Sequence, residues 1–412
     1  MTPQEVESPT PATRAVPAHL LAGLIATLVF VSGVIGATAY ERSQLRSNAG
    51  NLVPLSFTEK WKGEAAPLAL LATENVLPLY GSSELIVEMP NRAAEFFASS
   101  PTGFTVAPLG DRAYPVLSMA LGVASVGDAL RGKRVAFSLS GTWFIGDDTL
   151  NDPKIFRNHY SELQAGDLVF ERHLPLQLRR EFARRLLDYD LVTADFPLLN
   201  PALACLARSC AFEPLLPAFG PVWATRSLFL RARDVHRVLS YARFATPPVR
   251  RPARIDWTAL ESEADSAWRL SSSTNRFGIA DSLWRDEYAP TIQRSAGGQS
   301  DSSFLAGMAN ATRWKDLHLL LSTLRAVGAK PLILNSPLKG VWWDFRGVSL
   351  SARQQFYRAF DSVSTSYGFR PVTFAAWDAD RNFLAESRSH LSGKGWAIYD
   401  QALNAFYHDS LR

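Results

Sequence analysis

Two segments far apart in the chain carry side chains that could act on an acyl group. Gly81-Ser82-Ser83-Glu84-Leu85 follows the apolar run Val76-Leu77-Pro78-Leu79-Tyr80, and Ser389-His390-Leu391 stands just before Gly393-Lys394-Gly395-Trp396. A serine hydroxyl is a weak nucleophile until a base takes its proton, and histidine is the side chain suited to that near neutral pH. Brought together, the two make the nucleophile-and-base pair of acyl transfer. Each residue also has a plainer use. Serine is a favoured helix N-cap, and His390 before a glycine-rich turn could cap or pack.

The surrounding pattern says what must position them. Phe104-Thr105-Val106-Ala107-Pro108-Leu109 ends at Gly110-Asp111, and a helical stretch over about 114–131 leads to Arg134–Ser140, which ends at Gly141-Thr142. Later, a helix over about 312–328 leads to Pro331-Leu332-Ile333-Leu334-Asn335-Ser336. A helix over about 350–367 leads to Pro371-Val372-Thr373-Phe374, and a last helix covers about 393–409. Short apolar strands alternating with helices predict an α/β domain over 71–412 with a parallel sheet of about five strands and helices on both faces. Ligands of such sheets bind beyond the carboxyl ends of the strands, and each predicted strand end here carries small or polar residues. Between about 150 and 310 the alternation stops. Helices over 176–187 and 228–244 and the loop Thr246-Pro247-Pro248-Val249-Arg250-Arg251-Pro252 read as a helical insertion after the third strand.

The amino terminus has a different character. His19 to Ala39 contains no charged residue, and roughly 20 residues at about 1.5 Å each span a hydrocarbon core about 30 Å thick. Ala37-Thr38-Ala39 resembles a signal cleavage site, but the apolar run exceeds the usual signal core of about 7–15 residues, which favours an uncleaved anchor. Residues 1–18, with four prolines, read as a flexible tail and 40–70 as a stalk. Arg14 before the helix and Arg42 and Arg46 after it leave the orientation poorly encoded. The net charge is +4, with arginines clustered at Arg179, Arg180, Arg184 and Arg185 and at Arg250, Arg251 and Arg254. That is too sparse, and too poor in aromatic platforms, for a nucleic-acid groove. Solvated helix faces explain it, and contact with acidic headgroups or an anionic polymer is the sharper reading. Cys205 and Cys210 show no metal-ligand spacing. They are either a small disulfide loop or two buried thiols.

Pro78-Leu79-Tyr80-Gly81-Ser82-Ser83-Glu84-Leu85 resembles the signature of the DltD family, the membrane-anchored component of D-alanine transfer to teichoic acids. Ser138–Phe144, Ser273–Ile279, Lys339–Phe345 and His390-Leu391-Ser392-Gly393-Lys394-Gly395-Trp396 resemble further family segments in the same order. The resemblance implies an SGNH-hydrolase-like (flavodoxin-like) fold, with Ser83 as nucleophile, Ser82 as the alternative, and His390 as base. It makes the Ser83 and Gly110 N–H groups oxyanion donors, with Thr142 where the family usually has glutamine. It also implies a single-pass protein of the cytoplasmic membrane with its catalytic domain outside. The implied partners are a membrane-bound O-acyltransferase, an aminoacyl carrier protein system and an anionic surface polymer; no cofactor is called for.

One position departs from the pattern. The family places an aspartate three residues before the histidine, where this chain has Ser387, with Glu386 one residue earlier. Either Glu386 orients the ring, or Ser387 or a carbonyl does so in a Ser–His dyad, or the site is weakened. Three functions follow: D-alanylation of a teichoic acid or of a lipopolysaccharide or glycan counterpart, O-acetylation of an exported polysaccharide by the same fold, or a non-catalytic domain that positions carrier and polymer.

Overall fold

A computed structural model of the chain describes residues 18–146, 153–171, 174–189, 199–246 and 249–410. Most of the expected tail, and Pro247 and Pro248 of the expected loop, lie outside them. Five parallel strands form one sheet: β1 (Val76–Tyr80), β2 (Thr105–Leu109), β3 (Arg134–Leu139), β4 (Lys330–Asn335) and β5 (Val372–Thr373), in the order β2-β1-β3-β4-β5. The strands are nearly continuous apolar runs because both faces are covered. Leu77, Leu79, Ala136, Leu332 and Leu334 face one layer, closed by Trp396, Tyr399 and Leu403 of the last helix, Gly393–Tyr407. Tyr80, Leu109, Val135, Phe137 and Ile333 face the other, filled by the helices Val116–Val126, Arg313–Val327 and Leu350–Ser366.

The strand order fixes where a ligand can sit. The chain leaves β1 to one side for β2, then crosses back to place β3 on the other side. A crevice therefore opens beyond the carboxyl ends of β1 and β3, the switch point of a doubly wound sheet.

The segment between β3 and β4 is predominantly helical, but it does not form a layer of its own. Trp257–Ser271 packs on Gly393–Tyr407 at one face of the sheet. Leu176–Leu187 and Leu199–Arg208 contribute Phe182, Leu186, Leu203 and Leu206 to the core of the other. Cys205 and Cys210 form a disulfide, with Cα atoms 4.9 Å apart.

The stalk expected over 40–70 requires correction. One unbroken helix, Ala18–Ser47, carries the apolar stretch and continues past it. From its last turns onward the chain enters the main core: Leu45, Leu52, Val53, Phe57, Trp61, Ala66 and Leu70 are all buried there. These side chains are covered in part by the helix Gly220–Phe244, which packs along Ala18–Ser47. Even Lys60 is enclosed, its ammonium donating to the carbonyls of Val53 at 3.0 Å and Leu55 at 2.6 Å.

Candidate active site

The turn after β1 is built by its own side chains. Glu84 Oε1 accepts the Ser82 N–H at 2.9 Å. Burial pushes the Glu84 pKa up, against the pull of the Ser82 N–H and the Ser138 hydroxyl. Ser82 Oγ accepts the Tyr114 N–H at 3.0 Å and donates to the Asp111 carbonyl at 3.3 Å. The Ser82 hydroxyl is thereby occupied in tying the β1 turn to the β2 turn, and the residue is buried. Gly110 shows how tight that junction is: a Cβ there would stand 1.9 Å from the Gly81 carbonyl oxygen. With Ser82 held inward, Ser83 is left at the crevice.

His390 arrives from the opposite end of the chain. Leu384 and Leu391 form an antiparallel bridge, and Ala385 N–H donates to the His390 carbonyl at 2.7 Å, so residues 384–391 make a short hairpin. Ser392 then caps Gly393–Tyr407, its hydroxyl accepting the Gly395 N–H. The outcome is a distance of 2.8 Å between His390 Nε2 and Ser83 Oγ. On the other side of the ring, Nδ1 stands 3.8 Å from Glu386 Oε1, an ion-pair distance rather than a hydrogen bond. Glu386 Oε1 is itself fixed by the N–H groups of Ser389 and His390, at 2.6 and 3.0 Å. Ser387 is turned elsewhere. Its hydroxyl lies 2.8 Å from the Tyr288 hydroxyl, and its N–H donates to the same oxygen at 3.2 Å.

A match to the family model described as DltD protein covers residues 57–408. The chain belongs to the DltD family. Protein DltD of Bacillus subtilis is 25% identical over 342 residues, 82% of this chain and 84% of that protein. Protein DltD of Staphylococcus aureus is 26% identical over 348 residues, 83% of each. The segments around Ser83 and His390, both inside the matched span, are the two that meet here across the sheet edge.

In this DltD-family chain, Ser83 and His390 open onto a cavity of about 610 Å³. Thr142 and Trp143 from the end of β3, Tyr288, Glu386 and Ser387 line it. The Thr142 hydroxyl is 2.8 Å from that of Ser140. Arg112, Arg346 and Arg388 also line it. Among the described residues no cluster of three or more metal-ligating side chains occurs.

Two residues of the site were not singled out by sequence. Tyr288, in the π-helical turn Trp284–Tyr288, donates to Glu386 Oε2 at 3.3 Å while bonded to Ser387. Its hydroxyl pKa is pushed up to about 12, first by burial and then by the Glu386 charge, so it stays protonated as a donor. Nothing in the sequence around Tyr288 points across to 386–387. In the sequence Lys339 is only the first residue of the Lys339–Phe345 segment. Its buried ammonium donates to the carbonyls of Gly278 at 3.3 Å, Arg381 at 2.7 Å and Leu384 at 2.6 Å, joining two loops beneath the hairpin.

Proposed function

We propose that this protein is a serine acyl-transfer enzyme of D-alanylation, anchored in the cytoplasmic membrane by Ala18–Ser47 with its α/β domain outside, and acting on an anionic surface polymer. The observation that carries the reading is the 2.8 Å contact between Ser83 Oγ and His390 Nε2 at the switch point of the sheet. Membership of the DltD family supplies the acyl group, because the family is associated with D-alanine transfer to teichoic acids. The Cys205–Cys210 disulfide suits an oxidising compartment, and the arginines around the cavity suit an acceptor with negative charge. A membrane O-acyltransferase and an aminoacyl carrier are the partners this chemistry needs upstream.

In the reacting tautomer His390 carries its proton on Nδ1, towards Glu386, and accepts the Ser83 proton on Nε2. Ser83 Oγ bonds to the carbonyl carbon of a D-alanyl thioester or ester. The bond to the leaving sulfur or oxygen breaks, and His390 returns the proton to that leaving group. A polymer hydroxyl then attacks the seryl ester and gives its proton to His390. The Oγ–carbonyl bond breaks and Ser83 recovers its proton. The N–H groups of Ser83 and Gly110 are assigned to the developing oxyanion, with the Thr142 hydroxyl as the third donor. Glu386, rather than Ser387, is assigned the orienting role, since Ser387 is engaged with Tyr288.

A fluorophosphonate probe tests the nucleophile. Wild type is expected to form one covalent adduct, mapped by mass spectrometry to Ser83, retained in Ser82→Ala and lost in Ser83→Ala. Full polymer alanylation in a strain carrying Ser83→Ala would overturn the catalytic reading. Polymer from a deletion strain that loses acetate and keeps alanine would overturn the choice of acyl group.

A further inference from the structure

We propose that the foot of the domain, Phe212–Val222, is inserted in the outer leaflet of the lipid bilayer beside the anchor helix, as a second membrane contact. Phe212, Leu215, Phe219 and Val222 are 71, 56, 56 and 52% exposed, while Leu216 between them turns inward. Four large apolar side chains exposed on one eleven-residue segment are more than the scattered exposure of a soluble surface. They also border an apolar groove of about 430 Å³, reaching to Phe170, Cys205 and Trp223, which has the lining to accept an acyl chain.

The charges agree with the same occupant. From Ala211 to Leu230 the only ionisable side chains are Glu213 and Arg226. Arg180 grips Glu213 through two nitrogens, at 2.9–3.2 Å. Arg226 Nε is 2.7 Å from Glu162. Neither presents an unpaired charge to hydrocarbon. Segment geometry is also fixed: the Cys205–Cys210 disulfide closes the chain just before the foot, and Glu213–Phe219 runs into the helix Gly220–Phe244.

Continuity with the anchor identifies the occupant as lipid. Phe229, seven residues beyond Val222 on the helix Gly220–Phe244, has its ring 6.1 Å from that of Phe30, and Gly220, Trp223 and Ala224 share a cavity with Ile35, Thr38 and Ala39 of the anchor. Phe30 lies ten residues before Tyr40, the last uncharged residue ahead of Glu41, about 15 Å along the helix. If the anchor spans the membrane, a side chain touching Phe30 lies below the level where the anchor leaves the hydrocarbon, and the apolar foot lies beside it. Because the inference rests on the anchor and not on the Ser83–His390 site, its failure is separable from that of the acyl-transfer reading.

Site-directed spin labelling of the full chain in phosphatidylcholine–phosphatidylglycerol vesicles tests it. The native cysteines are paired, so label attaches to Phe212→Cys, Phe219→Cys, Phe30→Cys or Leu270→Cys in separate variants. Leu270 is 79% exposed on the opposite face of the sheet and serves as the aqueous control. Labels at 212 and 219 are expected to be accessible to oxygen and shielded from a water-soluble nickel chelate, as the label at 30 is. Nickel access at 212 and 219 equal to that at 270, with 30 in the hydrocarbon, overturns the proposal. So does shielding from both reagents, which would mean that a second copy of the protein covers the foot. A label at 30 outside the hydrocarbon overturns the anchor and the foot together.

Discussion

At the scale of single residues the question is what holds the His390 ring. Ser387 stands where the resemblance implies an aspartate, and its hydroxyl faces Tyr288 rather than the imidazole. Glu386 stands 3.8 Å from Nδ1 with its own orientation set by two backbone N–H groups. Glu386→Gln is expected to lower the acylation rate by about ten- to a hundredfold. That is less than the roughly 10⁴-fold loss when a hydrogen-bonded triad aspartate becomes asparagine, because this carboxylate acts across a gap. Ser387→Ala is expected to stay within about threefold of wild type, as for a residue outside the reacting line. Stopped-flow acylation with a chromogenic ester reads both, and the reverse order of effects would reassign the role. Ser83 and His390 were legible in sequence because each sits in a motif whose neighbours also do local work: Glu84 shapes the serine turn and Ser392 caps the last helix. Tyr288 was illegible, since its role exists only through contacts to residues 386 and 387, almost a hundred positions away.

At the scale of elements, the site depends on two junctions. The first joins the β1 and β2 turns at Gly110. Gly110→Ala would drive a methyl into the Gly81 carbonyl and displace the Ser83 turn. A shift of about 1 Å can cost about a hundredfold in rate, so fluorophosphonate labelling should fall by about that factor while circular dichroism remains that of a folded protein. The second junction is Lys339 beneath the 384–391 hairpin. Burial lowers the Lys339 pKa to about 7, with the Glu386 and Asp380 charges opposing the shift. Between pH 7 and 10.5 the unfolded chain therefore binds a proton that the folded chain does not, and stability rises with pH across that window. Lys339→Met removes the linkage and leaves carbonyls without a donor, at about 1–3 kcal/mol. The advantage of wild type over the variant in urea unfolding is expected to grow from pH 7 to pH 9. An advantage that stays level over that interval would mean the ammonium keeps its charge in the fold. The strand–helix order was readable because a buried parallel strand has a distinctive apolar run. The distribution of the β3–β4 segment over both sheet faces was not, because local helical pattern carries no information about which face of a distant sheet a helix will cover.

At the scale of the whole molecule, the boundary between anchor and domain has energetic consequences. Composition divides the chain near residue 70, where the first apolar strand begins. The fold divides it near residue 44. Leu45, Leu52, Val53, Phe57, Trp61 and Leu70 share the main core with Val116–Val126 and Gly220–Phe244. Each large apolar side chain removed from such a core forfeits about 1.5–3 kcal/mol of burial, against a total stability of about 5–15 kcal/mol for a domain. A fragment beginning at Glu74, which keeps every strand and both site segments, therefore loses as much as it has to lose. Asp234 would suffer as well: its Oδ2 accepts the N–H groups of Glu64 and Ala65 at 2.8 and 2.9 Å, and burial already pushes its pKa up to about 6. A fragment beginning at Tyr40 keeps these contacts and drops only the apolar part of the anchor. The Tyr40 fragment is expected to be soluble, to melt cooperatively and to take the fluorophosphonate label at the wild-type rate. The Glu74 fragment is expected to give no cooperative transition by calorimetry and no label. A folded, labelled Glu74 fragment would restore 40–70 as a stalk. With the outcome expected here, those residues belong to the α/β domain, and the anchor helix enters it with no flexible spacer. The Ser83–His390 crevice would then be held at a fixed height and tilt above the membrane by the same helix that tethers it.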